Sequence, residues 1–238
     1  MDTQLVMDQL IRHLKFPMQL DIWKLKEDLH KVMDSNWIGH YNTNDYSGEW
    51  SSVALMSANG KSDNIYALNQ AEDAIQSTEI LEFCNYFKQI LEEFQFKKTA
   101  VRLLRLAVGA EVKPHSDYCL GYEDGCFRMH IPIITNPDVE FILDGERIIM
   151  NEGECWYIDA NFTHSVANRG TEDRIHLVID GIRNEWTDNL FFQQADENHF
   201  IKPVKDFSEE QKNQIIEELK RMNIPVAQEL IDNLKKRD

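Results

Sequence analysis

Cysteine is scarce. Four residues, Cys84, Cys119, Cys126 and Cys155, occur in a chain of 238, and no two form a CxxC pair. That sparsity excludes a disulfide scaffold, so the cysteines read as small core residues in a reduced, cytoplasmic protein. Positive charge is also short: 25 Lys and Arg face 41 Asp and Glu, for a formal net charge of −16. Nucleic-acid phosphates and anionic membrane surfaces both need clustered cations, so no nucleic-acid or membrane partner is expected. No apolar run approaches the roughly 18–20 residues that span a bilayer. The opening stretch, MDTQLVMDQLIRHLKF, lacks a basic segment followed by an apolar one, so no signal peptide is expected. Low-complexity tracts and internal repeats are missing as well. What is present, 42% hydrophobic residues over this length, suffices for a core without staples.

The first hundred residues read mostly as helix. Asp21 can cap a segment that puts Leu25, Leu29 and Val32 on one face. Ser77 or Thr78 can open a second, with Ile80, Phe83, Phe87, Ile90, Leu91 and Phe94 at helical spacing. Between them, residues 51–57 (SSVALMS) read as a short strand. From residue 100 the texture changes to short apolar and β-branched runs: AVRLLRLA, FRMHIPIIT, VEFILD, RIIM, ECWYID and RIHLVIDGI. Turn-formers separate them, and Asp144-Gly145 between two such runs is a hairpin signal. Seven or eight strands without intervening helices predict an antiparallel sandwich or barrel. The tail reads as helix again: Ser208 and Gln211 fit a capping box ahead of Ile215, Ile216, Leu219 and Met222, and Pro225 can start a last helix. The expected organisation is a helical layer with one or two strands over residues 1–99, a β-core over 100–190 and a helical segment over 191–238.

Chemistry concentrates in residues 115–176. In extended backbone, residues i and i+2 share a face, so His115 and Asp117 project side by side. His164, at the start of a predicted strand, can supply a third ligand. Two histidines and one carboxylate on a β-scaffold match the facial triad of non-haem Fe(II) oxygenases, which leaves positions open for co-substrate and O₂. Arg174 lies ten residues after His164 in an apolar strand, with His176 on its face, and Arg128 pairs with His130 in the same way. A buried arginine needs an anion, because an unpaired charge in the interior is costly. Internal ion pairs with some of the 41 acids, or a pocket that takes carboxylates, would both answer that need. Arg102 and Arg105 fall on opposite faces of their strand, and either could reach the pocket. Of Trp156 and Tyr157, one reads as core and the other as pocket wall. Trp50, near the SSVALMS strand, can line a substrate site, though a buried position is the favoured reading, and His13, His30 and His199 read as surface residues.

The stretch from Arg102 to Trp186 resembles the aspartyl/asparaginyl β-hydroxylase family. The markers are Pro114-His115, the Arg128-Met129-His130 element, the Gly145-Glu146 turn, and His164 followed by Arg174. The resemblance implies a double-stranded β-helix, a jelly-roll of cupin type, with flanking helices. It implies Fe(II) on His115 and His164, with Asp117 as the third ligand, and 2-oxoglutarate held through its distal carboxylate by Arg174. It assigns Arg128 and His130 to co-substrate or substrate carboxylates. Asp117 departs from the animal members of the family and is similar to the bacterial free-amino-acid hydroxylases, such as the proline hydroxylases. Leu104 stands where the animal enzymes carry a serine for 2-oxoglutarate.

The implied activity is hydroxylation of a C–H bond in a small, anionic substrate such as a free amino acid, with O₂ consumed and succinate and CO₂ released. A peptide or protein Asp/Asn side chain is the alternative substrate. The rival readings are a cupin-type metalloenzyme without 2-oxoglutarate and a non-catalytic small-molecule-binding module. Two aligned arginines disfavour the first, and a complete ligand triad disfavours the second.

Overall fold

In a computed structural model, the structure describes residues 10–67, 74–201, 209–222 and 228. The chain divides into a large unit, Gln9–Lys202, and a small one that includes helix α4 (Glu209–Met222). Ser208 and the segment from Pro225 to Ala227, for which a capping box and a last helix are predicted, lie outside the described residues.

Among the described residues, the large unit is built on two sheets. One has eight strands: β1 (His13–Gln19), β2 (Ile38–Gly39), β4 (Trp50–Ser57), β5 (Gln76–Ser77), β6 (Lys98–Leu106), β8 (Cys126–Ile134), β11 (Glu154–Ile158) and β13 (Arg174–Ile182). Its order is β1-β11-β8-β13-β6-β4-β2, and β5 pairs with β4. The other has five: β3 (Tyr46–Ser47), β7 (Glu111–His115), β9 (Val139–Leu143), β10 (Glu146–Ile148) and β12 (His164–Asn168), in the order β10-β9-β12-β7-β3. From β6 onward the chain passes back and forth between the sheets, which is the winding of a double-stranded β-helix. Every strand run predicted from residue 100 onward is a strand here. At the β9–β10 hairpin, Asp144 and Gly145 both have positive φ, 49° and 83°. A two-residue turn that follows the strand twist needs that backbone, and Asp-Gly tolerates it.

Period-two alternation sorts the large sheet's side chains. Val53, Leu55, Val101, Leu103, Phe127, Met129, Ile131, Tyr157, Ile175, Leu177 and Ile179 join one core with the helices α1 (Ile22–Val32), α2 (Asn85–Glu93) and α3 (Glu185–Phe192). The alternate positions look toward the five-stranded sheet. There Leu106, Trp156 and Ile158 pack with Val112, Phe141, Leu143 and Val166 in a second core. Both Trp156 and Tyr157 are therefore core residues, and it is Ile158 that reaches the cavity.

The first hundred residues correct the expectation of a mainly helical layer. β1 pairs with β11 and β4 with β6, so both are members of the main sheet, and residues 9–202 form one unit with no break at 99–100. Asp21 does cap α1, accepting from the Trp23 and Lys24 amides, and Leu25, Leu29 and Val32 are buried. The second predicted helix starts later. Thr78 instead donates its hydroxyl to the carbonyls of Ala54 and Leu55, Phe83 is exposed, and α2 begins at Asn85. Its cap comes from another element: the buried Asp28 of α1 accepts from the amides of Tyr86 and Phe87 at 2.7 and 3.0 Å. A cap delivered across space leaves no local spacing to read. Among the cysteines, Cys84 and Cys155 are buried, whereas Cys119 is exposed and Cys126 intermediate.

Candidate active site

β7 and β12 are antiparallel neighbours, so the end of one meets the start of the other. His115 and His164 are register partners, with ring centroids 4.3 Å apart. Asp117 follows β7 by two residues, its amide anchored on the Ala160 carbonyl at 2.8 Å. Its Oδ1 lies 3.9 Å from His115 Nε2. One ligand atom from each of His115, Asp117 and His164 falls within 4.8 Å of the others.

The donor set fits a divalent iron site. His115 Nδ1 lies 2.8 Å from the Lys113 carbonyl and His164 Nδ1 lies 3.0 Å from the Phe162 carbonyl. A carbonyl oxygen only accepts, so each Nδ1 carries the proton and each Nε2 keeps a lone pair for a metal. Burial also pushes His164 down to about 4, which holds it neutral as a ligand must be. Burial opposes the charge on Asp117, yet the Arg128 guanidinium and the two histidines keep its carboxyl below the ordinary aspartate range. Two nitrogens and one carboxylate oxygen form the open-sided set suited to non-haem iron.

These residues border a cavity of about 390 Å³ between the sheets, which Arg102, Arg128, His130 and Arg174 also line. Arg174 is 4% exposed. Its Nη2 donates to His176 Nδ1 at 2.9 Å, its Nε has no partner, and no carboxylate pairs with it among the described residues. Burial draws it down to about 9, and burial with Arg174 nearby keeps His130 and His176 neutral. This corner of the cavity holds an uncompensated cation and buried ring nitrogens without partners, an arrangement that an incoming carboxylate would complete.

Arg128 is placed differently from the expectation that it is free for an external anion. Nη1 donates to Asp117 Oδ2 at 2.5 Å, and Nε and Nη2 donate to Asp180 at 2.7 and 3.1 Å. For this residue the internal ion-pair reading is the observed one. Of the two β6 arginines, Arg102 reaches the cavity and also binds Asp180, while Arg105 pairs with Asp173 and Glu49.

Trp50 is partly buried, packs against the second core and lines the cavity, the alternative to the fully buried position favoured from sequence. His40 stacks on it at 3.8 Å and 17°, and burial holds that imidazole near 4. Sequence reading missed His40 and Asp180. His40 sits in a loop with no periodic signal. Asp180 had one: an even offset from Arg174 along a strand puts both on one face.

The sequence model of a family described as aspartyl/asparaginyl beta-hydroxylase matches residues 20–184. L-proline cis-4-hydroxylase of Rhizobium meliloti (strain 1021) is 27% identical over 172 residues, 71% of this chain and 60% of that protein. L-proline cis-3-hydroxylase 1 of Streptomyces sp is 28% identical over 177 residues, 71% of this chain and 59% of that protein. The chain thus spans about 60% of the length of the curated relatives it matches. A 2OG-Fe(II) oxygenase family oxidoreductase from Burkholderia pseudomallei superposes with a TM-score of 0.52 at 13% identity, covering 77% of this chain and 92% of that one, a likeness of fold. With the family model spanning most of the chain, including all three candidate ligands and Arg174, the chain belongs to the aspartyl/asparaginyl β-hydroxylase family.

Proposed function

We propose that this chain is an Fe(II)- and 2-oxoglutarate-dependent dioxygenase that hydroxylates a C–H bond of a small, carboxylate-bearing substrate, a free amino acid or close derivative. The observation that carries the reading is the convergence of His115, Asp117 and His164 in the same cavity as a buried, unpaired Arg174. The two proline hydroxylases it resembles point to the substrate class. In this reading His115, Asp117 and His164 hold the iron. Together with 2-oxoglutarate and O₂, the bound iron supplies the oxidising chemistry, and succinate and CO₂ are the co-products.

The protein's own residues bind and orient. Arg174 takes the distal carboxylate of 2-oxoglutarate, with His130 and His176 as neutral neighbours that add no charge. Ser52 is register-paired with Leu104 and lines the cavity, so it offers a hydroxyl beside the position where the animal enzymes carry serine. On the substrate side, Arg102 has a buried Nε without a partner, a donor for the substrate carboxylate, with Arg128 beside it. The stacked His40 and Trp50 form a flat wall for the substrate body. A cupin enzyme without 2-oxoglutarate has no use for an unpaired Arg174. Four free thiols support a reduced, cytoplasmic setting.

The test is a panel of free amino acids, N-acylated derivatives and Asp/Asn peptides with Fe(II), 2-oxoglutarate and O₂. Succinate release stimulated by a free amino acid, with the hydroxylated product seen by mass spectrometry, supports the reading. Stimulation by peptides alone transfers the activity to protein side chains. No succinate with any of them refutes the 2-oxoglutarate reading.

A further inference from the structure

Asp180 belongs to β13 and shares its inner face with Arg174, His176 and Val178. It is 1% exposed, and two arginines surround it. Its Oδ1 accepts from Arg128 Nε at 2.7 Å. Its Oδ2 accepts from Arg128 Nη2 at 3.1 Å and from Arg102 Nη2 at 2.6 Å. Arg128 therefore grips Asp180 with one whole edge of its guanidinium. Two parallel bonds on a planar group fix the plane as well as the position. The remaining corner, Nη1, is then aimed at Asp117 Oδ2, which it meets at 2.5 Å.

The consequence falls on Asp117. A carboxylate just past the end of a strand can rotate about its side-chain torsions and present either oxygen, or both, to an ion. Here Oδ2 is engaged by Arg128, and Oδ1 is the oxygen that faces His115 Nε2. Building on the metal assignment under Proposed function, we propose that Asp180 is a positioning residue of the metal centre. It acts through Arg128 to hold Asp117 with a single oxygen turned toward the histidines. Losing a partner that orients a ligating carboxylate typically costs about ten- to a hundredfold in metal affinity. The same clamp explains why Arg128 is not free for an external anion. Each of its three nitrogens already donates to Asp117 or Asp180, whereas Arg102 Nε is buried without a partner.

A plainer role is charge balance: Asp180 would neutralise two buried cations and have no bearing on Asp117. A double-mutant cycle separates the two, because a residue that acts through Arg128 loses its effect once Arg128 is gone. Mn(II) alone, titrated into the full-length, chelator-treated protein and followed by electron paramagnetic resonance, reads the site without turnover. Arg128→Gln and Asp180→Asn should each weaken Mn(II) by about ten- to a hundredfold. The double variant should bind within about twofold of Arg128→Gln alone.

Asp180→Asn binding like the parent overturns the inference. So does Asp180→Asn weakening Mn(II) by the same factor in both backgrounds. If Asp180→Asn does not fold, Arg128→Lys carries the test. It keeps the charge and loses the two-sided fork, so affinity should fall as in Arg128→Gln, and parental affinity overturns the inference. His164→Ala runs alongside. Parental Mn(II) affinity in that variant refutes the metal centre itself. Lost affinity there, with Arg128→Gln unaffected, refutes the role of Asp180 alone.

Discussion

Arg174 is a buried cation with no carboxylate partner among the described residues. A buried guanidinium with an unsatisfied Nε destabilises the protein that contains it. Its retention makes sense if a bound carboxylate returns the energy. Arg174→Met, which keeps much of the volume and removes the charge, should raise the melting temperature of the ligand-free protein. The gain should be of the order of the 1–4 kcal/mol reached when a buried ion pair gives way to apolar groups. The same variant should lose the stabilisation that 2-oxoglutarate gives the parent, read as the thermal shift on adding it with Mn(II). An Arg174→Met protein that is less stable and still shifted by 2-oxoglutarate would refute the assignment. His164 makes the complementary case. It is neutral, has its Nδ1 occupied and is within reach of two other ligands, so His164→Ala should abolish succinate formation and leave the fold intact, checked by circular dichroism.

Among the elements, the segment between β7 and β8 matters most, because it carries Asp117 and is tied to the loop before His164. Asn161 Nδ2 donates to Glu123 at 3.0 Å and to Asp124 at 2.7 Å, and the Leu120 amide donates to Asn161 Oδ1 at 3.3 Å. Gly121 sits against this network. A Cβ there would lie 2.3 Å from Asn161 Nδ2 and 2.4 Å from Glu123 Oε1. Gly121→Ala should therefore displace the Asn161 and Glu123 side-chain ends and break the bonds between them, which tie the two loops together. Mn(II) affinity should fall together with the melting temperature. A stability loss with unchanged Mn(II) affinity would show that the loops do not set the ligand spacing. The strands themselves were legible from residue 100 on, because alternation and turn residues are local signals. The start of α2 was not legible, since its cap is Asp28, 57 residues before Asn85.

Across the whole molecule, buried titratable groups set the response to pH. Burial, with Glu123 and Asp124 close by, pushes Asp159 up to about 8 from an ordinary 3.8. The folded protein then keeps a proton that the unfolded chain releases, and stability gained below about pH 4 is lost as pH rises to about 8. Asn at this position keeps a donor for Glu123 and has no proton to lose. Asp159→Asn should therefore raise the melting temperature at pH 8.5 by more than at pH 5. An equal change at both values would show that Asp159 does not titrate in this window. The neutral His130 and His176 act at the opposite end. Their depressed values mean that stability is lost as pH falls below the ordinary histidine range.

Alternation, turn chemistry and residue type are properties of neighbours along the chain. They were enough to predict the β-core and the Asp144-Gly145 turn, and to single out His115, Asp117 and His164 as candidate ligands, which the fold brings within 4.8 Å of one another although Asp117 lies two residues past the end of β7. Which arginine would stay unpaired was beyond them. Arg128 and Arg174 look alike in sequence, each followed two residues later by a histidine on an apolar strand. Only the tertiary structure set Asp180 between Arg102 and Arg128 and left Arg174 without an acid among the described residues. The physical reason is that charge compensation depends on distance across strands. The register of β13 against β6 and β8 sets that distance: Asp180 stands opposite Arg128 on one side, Arg174 opposite Leu106 on the other. The same holds for His40, which a loop of no pattern brings onto Trp50 at the cavity.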